Sequence, residues 1–387
     1  MSVVAIICEY NPFHEGHRYQ IDKIREDNND ATIVAIMSGN IVQRGELAFI
    51  DKYTRAKIAV ENGADLVLEL PYPYSGSTAE IFATAGVKIA SSIGADTLYF
   101  GTESDSIEKL EKIASTIDSE EYEKEIKNLL KNSTESFPVL REMALKKLGV
   151  DVSYTSNDML AIEYIRAIKK NELDLNYKTI KRVGAGYNDH SICNVMSASA
   201  IRSEFYKTGK ILSIPSEGKE FIKSDLENGK FIDVAKLEDL LLQQIILRGP
   251  KSIEKAFDCP NGIGYYIYSE AKKCTSSNEL SLLSSKNATS ARIRRILLYF
   301  LFGVEHVDKE PKFSTILATN QKGKNYLNKI KKTTKLPLIT KHSDSKKLSK
   351  QTLSEYELSL KADELYQLLL NKPNESKIVY KKCLYIK

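Results

Sequence analysis

No stretch of the 387 residues approaches the roughly 18 consecutive apolar positions that a membrane-crossing helix requires. The start, Met1-Ser-Val-Val-Ala-Ile-Ile-Cys8, lacks both a basic segment and a small-residue cleavage site, so the expectation is a buried strand over residues 3–8 rather than a removed leader. Cysteine is sparse: Cys8, Cys193, Cys259, Cys274 and Cys383 are an odd number, widely scattered, with no Cys-x-x-Cys pair and no histidine at ligand spacing. A reduced cytoplasmic setting fits this pattern and a zinc site does not, so no metal ligands are assigned. A strong excess of one charge is missing too, since a net charge of +5 in a chain with 28% charged residues does not by itself imply a nucleic-acid partner.

What is present is local. Between Gln321 and Gln351 stand ten lysines, Lys329, Lys331, Lys332 and Lys335 among them, against one acid, Asp344. Such a run can track a phosphate backbone, and it can equally be a solvated surface of a lysine-rich chain. With 42% apolar residues the chain can bury a sizeable core and is long enough for two domains.

The first hundred residues alternate β-branched runs with amphipathic stretches. Strands are expected at residues 3–8, 32–37, 65–70 and 97–100, with helices from near His17, over about 51–62 and over about 78–92 between them. Helical crossovers of this length imply parallel pairing, hence an α/β fold with an open, doubly wound, Rossmann-like parallel sheet. Its ligand crevice lies at the carboxyl ends of the strands, where the sequence places the loops 9–17, 38–46, 69–75 and 101–103. Residues 105–150 read as mostly helical, a helix follows Asn157-Asp158, and 177–183 reads as a strand. Beyond about 225 the pattern is helical, including 234–247 and 291–302, while 308–350 is the least regular part. The expected division is residues 1–220, a nucleotide-binding catalytic domain, and 221–387, a mainly α-helical domain.

Glu9-Tyr-Asn-Pro-Phe-His-Glu-Gly-His-Arg18 joins a post-strand loop, a glycine and two histidines three positions apart at a helix start. Gly16 lets a phosphate approach, the helix start offers N–H groups and a positive dipole end, and imidazoles can donate to phosphoryl oxygens. His14 and His17 would stabilise charge on a reacting α-phosphate and on departing pyrophosphate, one or both presenting a proton to the ligand, and neither need be a base. Two histidines at a helix start can also be caps, packing residues or half of a metal site. Met196-Ser-Ala-Ser-Ala-Ile-Arg202 supplies a second cluster, in which Ser197 and Ser199 can cap a helix and Arg202 can fork onto phosphate oxygens.

His-x-Gly-His after the first strand and a late serine-rich segment ending in arginine resemble the nucleotidylyltransferase superfamily. The resemblance narrows because Met37-Ser-Gly-Asn-Ile-Val-Gln-Arg-Gly-Glu46, Asp65-Leu-Val-Leu-Glu-Leu-Pro71, Phe100-Gly-Thr-Glu103 and Ser156-Asn-Asp158 stand in order between those two motifs. Together they look like the bacterial tRNA(Met) cytidine acetate ligase family, over about the first 205 residues and more weakly through Arg292-Ile-Arg-Arg295. Where that family has an arginine-containing apolar segment before a Lys-Gly, this chain reads Phe313-Ser-Thr-Ile-Leu-Ala-Thr-Asn320.

The resemblance implies an ATP-dependent ligase. Acetate attacks the α-phosphate of ATP to give acetyl-adenylate, and the exocyclic amine of the wobble cytidine of elongator tRNA(Met) then takes the acetyl group. It implies His14, His17 and Arg202 as catalytic residues, with Mg²⁺ accompanying ATP. It implies ATP contacts from the segment Ile7, Cys8, Glu9, Tyr10, Asn11, Pro12, Phe13, His14, Glu15, Gly16, His17, Arg18, Tyr19 and Gln20, and from Gly101, Asn157, Arg182 and Ser199. Asn40, Gln43 and Arg44 are assigned to acetate or the incoming cytidine, and the four lysines 329, 331, 332 and 335 to tRNA; no membrane or protein partner is implied. Two other readings stand beside it: a small-molecule adenylyl- or cytidylyltransferase using the same phosphate machinery, and a non-catalytic RNA-binding protein on the same fold.

Overall fold

The computed structural model describes residues 2–104, 106–133, 135, 137–150, 156–182, 196–274, 279–380 and 384–387. The strands of the amino-terminal half are β1 (Val3–Cys8), β2 (Thr32–Ser38), the short pair β3 (Ile41–Val42) and β4 (Glu46–Leu47), β5 (Leu66–Leu70), β6 (Thr97–Thr102) and β7 (Asn176–Lys181). Helices α1 (Glu15–Asp27), α2 (Lys52–Glu61) and α3 (Ala79–Ser92) make the first crossovers. Three strands come from the far end of the chain: β8 (Ser314–Thr319), β9 (Leu338–Ile339) and β10 (Tyr385–Ile386). The main sheet runs β10-β8-β5-β2-β1-β6-β7, with β9 beside β8. From β5 to β7 every neighbour is parallel, and β8 pairs antiparallel with β5.

Both faces of the sheet are covered, so its central strands are mainly apolar instead of alternating with polar residues. On β1, Val3, Ala5 and Ile7 face one core and Val4 and Ile6 the other. The second core is closed by Ile21 and Ile24 of α1 and by Ala56, Ile58 and Ala59 of α2. The first is closed by α3 and by the helices Ser156–Lys170, Val234–Arg248, Ile263–Ala271 and Ser290–Phe302. Helix ends follow local chemistry: Asp51 accepts from the Tyr53 amide to cap α2, and Thr78 accepts from Ile81 to cap α3.

The alternation of the first half, expected from the pattern, is what the structure has. The stretch 308–350 differs from the expected irregularity. It holds β8, every residue of which is buried, and the helix Gln321–Ile330, capped by Asn320. A six-residue strand flanked by lysines has too short a periodic signal to stand out from its surroundings. A Cβ on Gly323 would lie 2.0 Å from the Asp65 carbonyl oxygen, so glycine is what lets this helix press against the entry to β5. The sheet therefore draws strands from both sides of residue 220. The loop 38–46 likewise contains the β3–β4 hairpin rather than an irregular connection.

Two buried cations on α2 fasten the carboxyl ends of the strands. The Arg55 guanidinium donates to the carbonyls of Glu9 (2.6 Å), Ser38 (3.0 Å), Gly39 and Ile50 (3.0 Å), joining the loops after β1 and β2. Lys52 pairs with Glu69 of β5 at 2.6 Å and with Asp363 of the helix Lys350–Leu368, so the carboxyl-terminal region is anchored at the same end of the sheet. Arg55→Met removes every donor from a cluster of buried carbonyls and should lower the unfolding free energy by about 3–5 kcal/mol, read by urea denaturation. Arg55→Lys should recover only part of this, because an ammonium cannot span the same fork of acceptors. A loss below about 1 kcal/mol in Arg55→Met would show that these carbonyls find water instead.

Candidate active site at the carboxyl ends of the strands

The chain leaves β1 toward β2 and β5 on one side, while β6 and β7 lie on the other, so the strand order reverses between β1 and β6. A crevice outside the carboxyl ends opens at such a point. The loop leaving β1 carries the histidine motif, and β6 ends in Gly101-Thr102.

Helix α1 begins at Glu15, two residues before the expected start, and His14 is its cap. The Gly16 amide donates to His14 Nδ1 at 3.1 Å, and the His14 amide donates to His17 Nδ1 at 3.2 Å. The Glu15 amide donates to the Ser213 carbonyl at 3.2 Å, and those of His17 and Arg18 to the His14 carbonyl. The expected unpaired amides at this helix start are thus a correction: the first turn is already satisfied from within the protein. The same bonds dictate what the imidazoles do. With both Nδ1 atoms accepting, each neutral ring carries its proton on Nε2, the nitrogen left for a ligand.

The two rings stack at 3.8 Å between centroids, and the His17 ring meets Tyr10 edge-on at 4.8 Å and Phe13 at a tilt at 5.5 Å. Burial lowers the His14 pKa to about 4, with the Arg182 charge adding to the effect. Burial, His14 and Arg182 together hold His17 well below the usual imidazole range. The motif therefore offers two neutral N–H donors at neutral pH. An anion seated against them would oppose both causes and favour protonation.

Arg182, at the end of β7, donates its amide to the Thr102 carbonyl at 2.8 Å, and a Cβ on Gly101 would lie 3.0 Å from its Cγ. Glycine at 101 thus leaves room for the Arg182 side chain, which leaves the carboxyl end of β7 beside that of β6. Arg202, on the helix Ala198–Thr208, donates to the Asn11 carbonyl at 2.7 Å and to Glu46 at 3.2 Å, using two of its five N–H donors. Ser197 caps that helix, and Ser199 is exposed beside it with its hydroxyl 3.0 Å from that of Ser197. His14, His17, Gly101, Arg182, Arg202 and Ser199 thus come from four separated segments to one end of the sheet.

Other expected contacts have internal duties. Ile7 lies in the core and Cys8 ends β1, where burial pushes its thiol up. Glu9 accepts the Gln43 amide at 2.9 Å, Asn11 accepts the Phe49 amide at 2.7 Å, and Pro12 is buried beside it. Arg18 pairs with Glu217 and Asp22, and Tyr19 and Gln20 are half-buried on α1. Asn40 is 3% exposed, and its amide donates to Asp363 (2.9 Å) and accepts from the Lys52 amide (2.8 Å), so it ties the loop after β2 to α2 and to the helix Lys350–Leu368. Gln43 donates to the Ser77 carbonyl at 3.2 Å, and Arg44 is exposed at the turn of the β3–β4 hairpin. The side chain of Asn157 lies outside the described residues. Its helix starts at Ser156, and Asp158 accepts the amides of Glu103 (3.0 Å) and Ser104 (3.1 Å), which shapes the turn after β6.

Lys329, Lys331, Lys332 and Lys335 are exposed around the end of the helix Gln321–Ile330, beyond β8. Their helix docks at the amino ends of the strands, Lys322 donating to the Ala31 carbonyl and Tyr326 to that of Ile93, whereas the histidine motif stands at the carboxyl ends. Pattern reading missed Glu46, which bridges Arg202 and Arg294, and the α2 cations. A signal for the latter existed: Lys52, Arg55, Ala56 and Ala59 share one helical stripe, and a cation on an apolar stripe needs buried partners.

Residues 1–380 match the HIGH Nucleotidyl Transferase family. The tRNA(Met) cytidine acetate ligase of Thermoanaerobacter sp. (strain X514) is 36% identical, with 95% of each chain covered, and that of Clostridium acetobutylicum is 32% identical over the whole of both chains. Among solved structures, Thermotoga maritima TmcAL superposes in its apo form with a TM-score of 0.90 at 30% identity, and bound with alpha-thio ATP with a TM-score of 0.89 at 29% identity, each covering 100% of both chains. The chain therefore belongs to the HIGH nucleotidyl transferases and, within them, to the tRNA(Met) cytidine acetate ligase family.

Proposed function

We propose that this protein is an ATP-dependent ligase that makes acetyl-adenylate and acetylates the exocyclic amine of the wobble cytidine of elongator tRNA(Met). A carboxylate oxygen of acetate attacks the α-phosphorus of ATP, the bond to the bridging oxygen of the β-phosphate breaks, and pyrophosphate leaves with the electron pair. The cytidine amine then attacks the acetyl carbon, AMP departs with the bonding pair, and the amine loses a proton.

The observation that carries the first step is the stacked His14–His17 pair, whose Nδ1 atoms are both fixed by backbone amides. Two preset Nε2–H donors can follow the negative charge that builds on the phosphoryl oxygens, without reorganisation at the moment of reaction. Arg182 and Arg202 add permanent charge, and the unused N–H groups of Arg202 suit the departing pyrophosphate. The solved relative bound with alpha-thio ATP supports ATP as the nucleotide. Magnesium accompanying ATP would neutralise the leaving pyrophosphate.

The protein should catalyse acetate-dependent exchange of labelled pyrophosphate into ATP in a magnesium buffer. Exchange supported by a different acid or a phosphorylated alcohol, and not by acetate, would point to a small-molecule nucleotidylyltransferase. His17→Ala should slow this exchange by on the order of 10²-fold with the circular dichroism spectrum unchanged, as when an oxyanion-hole donor is removed. An unaltered rate in the folded variant would reduce His17 to a helix-capping role.

The exposed lysines beyond β8 are proposed to meet tRNA phosphates. Replacing Lys329, Lys331, Lys332 and Lys335 with glutamine should flatten the dependence of log affinity on log salt by roughly 0.7–0.9 per lost phosphate contact, with exchange untouched. A wild-type slope in the quadruple variant would move the tRNA path elsewhere, toward Arg292, Arg294 and Arg295.

A further inference from the structure

A cavity of about 330 Å³ opens beside the histidine crevice, between the β3–β4 hairpin and the helices Ala198–Thr208, Val234–Arg248 and Ser290–Phe302. Arg202 forms part of its wall and also holds the Asn11 carbonyl at 2.7 Å, three residues before His14, so the two spaces share a boundary. Glu46, on the same wall, joins Arg202 to Arg294. The rest of the lining is mainly apolar and includes Leu241, Leu297 and Leu298 and the edge-to-face pair Phe49 and Tyr206. Leu282 at its edge is 74% exposed.

One lining group does not fit an apolar packing gap. Glu238 is 2% exposed. Its Oε1 accepts the Ser281 amide at 3.1 Å, while its Oε2 is buried and finds no hydrogen-bond partner among the described residues. A buried carboxylate oxygen without a donor is costly unless a ligand supplies one.

We infer that this cavity takes the cytosine ring of the acceptor nucleotide, with the exocyclic amine donating to Glu238 Oε2. The inference rests on the acetyl-transfer reading and assigns its acceptor subsite. Cytosine matches each feature of the space. Its flat faces suit a slot of leucine and aromatic side chains, and its amine is the donor that Glu238 lacks, the pairing by which carboxylates read cytosine. Uracil presents a carbonyl oxygen at that position and would leave two acceptors facing each other. Held this way, the amine nitrogen sits in a space bordered by Arg202, next to the place where the acetyl-adenylate forms. Leu282 becomes covered when a nucleotide enters, which accounts for an exposed leucine at the edge of a binding site.

The test uses the full chain and transcripts of elongator tRNA(Met) carrying either cytidine or uridine at the wobble position. The wild type should bind the cytidine form tighter by on the order of 10-fold or more. Glu238→Gln places an amide donor in the slot and should bring the two affinities within about 2-fold, while acetate-dependent pyrophosphate exchange continues. Leu237→Trp, a half-buried position lining the cavity, should raise the KM for tRNA by on the order of 10-fold with exchange retained, and it carries the test if Glu238→Gln loses its fold. Undiminished cytidine preference in Glu238→Gln, or an unchanged KM in Leu237→Trp, overturns the inference. A raised KM for ATP in the exchange assay would also overturn it, by placing adenine in the cavity. Failure of the wild type to exchange pyrophosphate or to acetylate tRNA would instead overturn the parent reading.

Discussion

The active end of this molecule depends on one buried cation. Arg55 holds the backbone carbonyls that end β1 and β2, together with that of Ile50 at the entrance to α2, and among the described residues no carboxylate accepts from it. A planar fork with five donors can satisfy carbonyls that point in several directions, which a lysine cannot. Burial works against this charge and lowers the Arg55 pKa, while Tyr366, Asp51 and Glu9 favour it. The loop that leaves β1 therefore exits at a fixed angle, and the placement of His14 and His17 over the crevice follows from it.

The histidine pair extends the same economy. Its capping bonds fix the position of each proton as well as the helix, so structural and chemical roles are one set of contacts. Stacking and burial keep the rings uncharged while the crevice is free of anions, which limits the repulsion between them and the nearby Arg182. Charge at the site is then carried by the arginines, while the imidazoles contribute directed hydrogen bonds.

Much of this was legible in the chain itself. The β-α alternation of the first hundred residues is a strong signal because each strand has an apolar run of three or more residues and each helix has a cap, and it leads directly to the crevice. The motif residues at 14, 17 and 202 could be placed at one end of the sheet on that basis. Asn40 could not be recognised as a structural tie, because its partners, Lys52 and Asp363, are brought to it only by the fold. The consumption of the α1 amides was hidden for the same reason: Ser213, nearly two hundred residues away, supplies one acceptor. Strand β8 escaped because its pairing partner is distant and its flanks are rich in lysine. Glu238, one acid among the leucines of a helix, carries no local mark of facing a cavity.

The antiparallel seat of β8 against β5 has a consequence for how the protein is made. Leu66 pairs with Thr319, about 250 residues later, so when Leu66-Val-Leu-Glu-Leu70 emerges from a ribosome the neighbour for its outer edge does not yet exist. At about 5–20 residues per second that edge stays open for roughly 12–50 s, an apolar strand with unpaired amides and carbonyls. During that interval the nascent amino-terminal half is a substrate for chaperones and a hazard for edge-to-edge association. About 250 further residues have to be made before this side of the sheet is sealed.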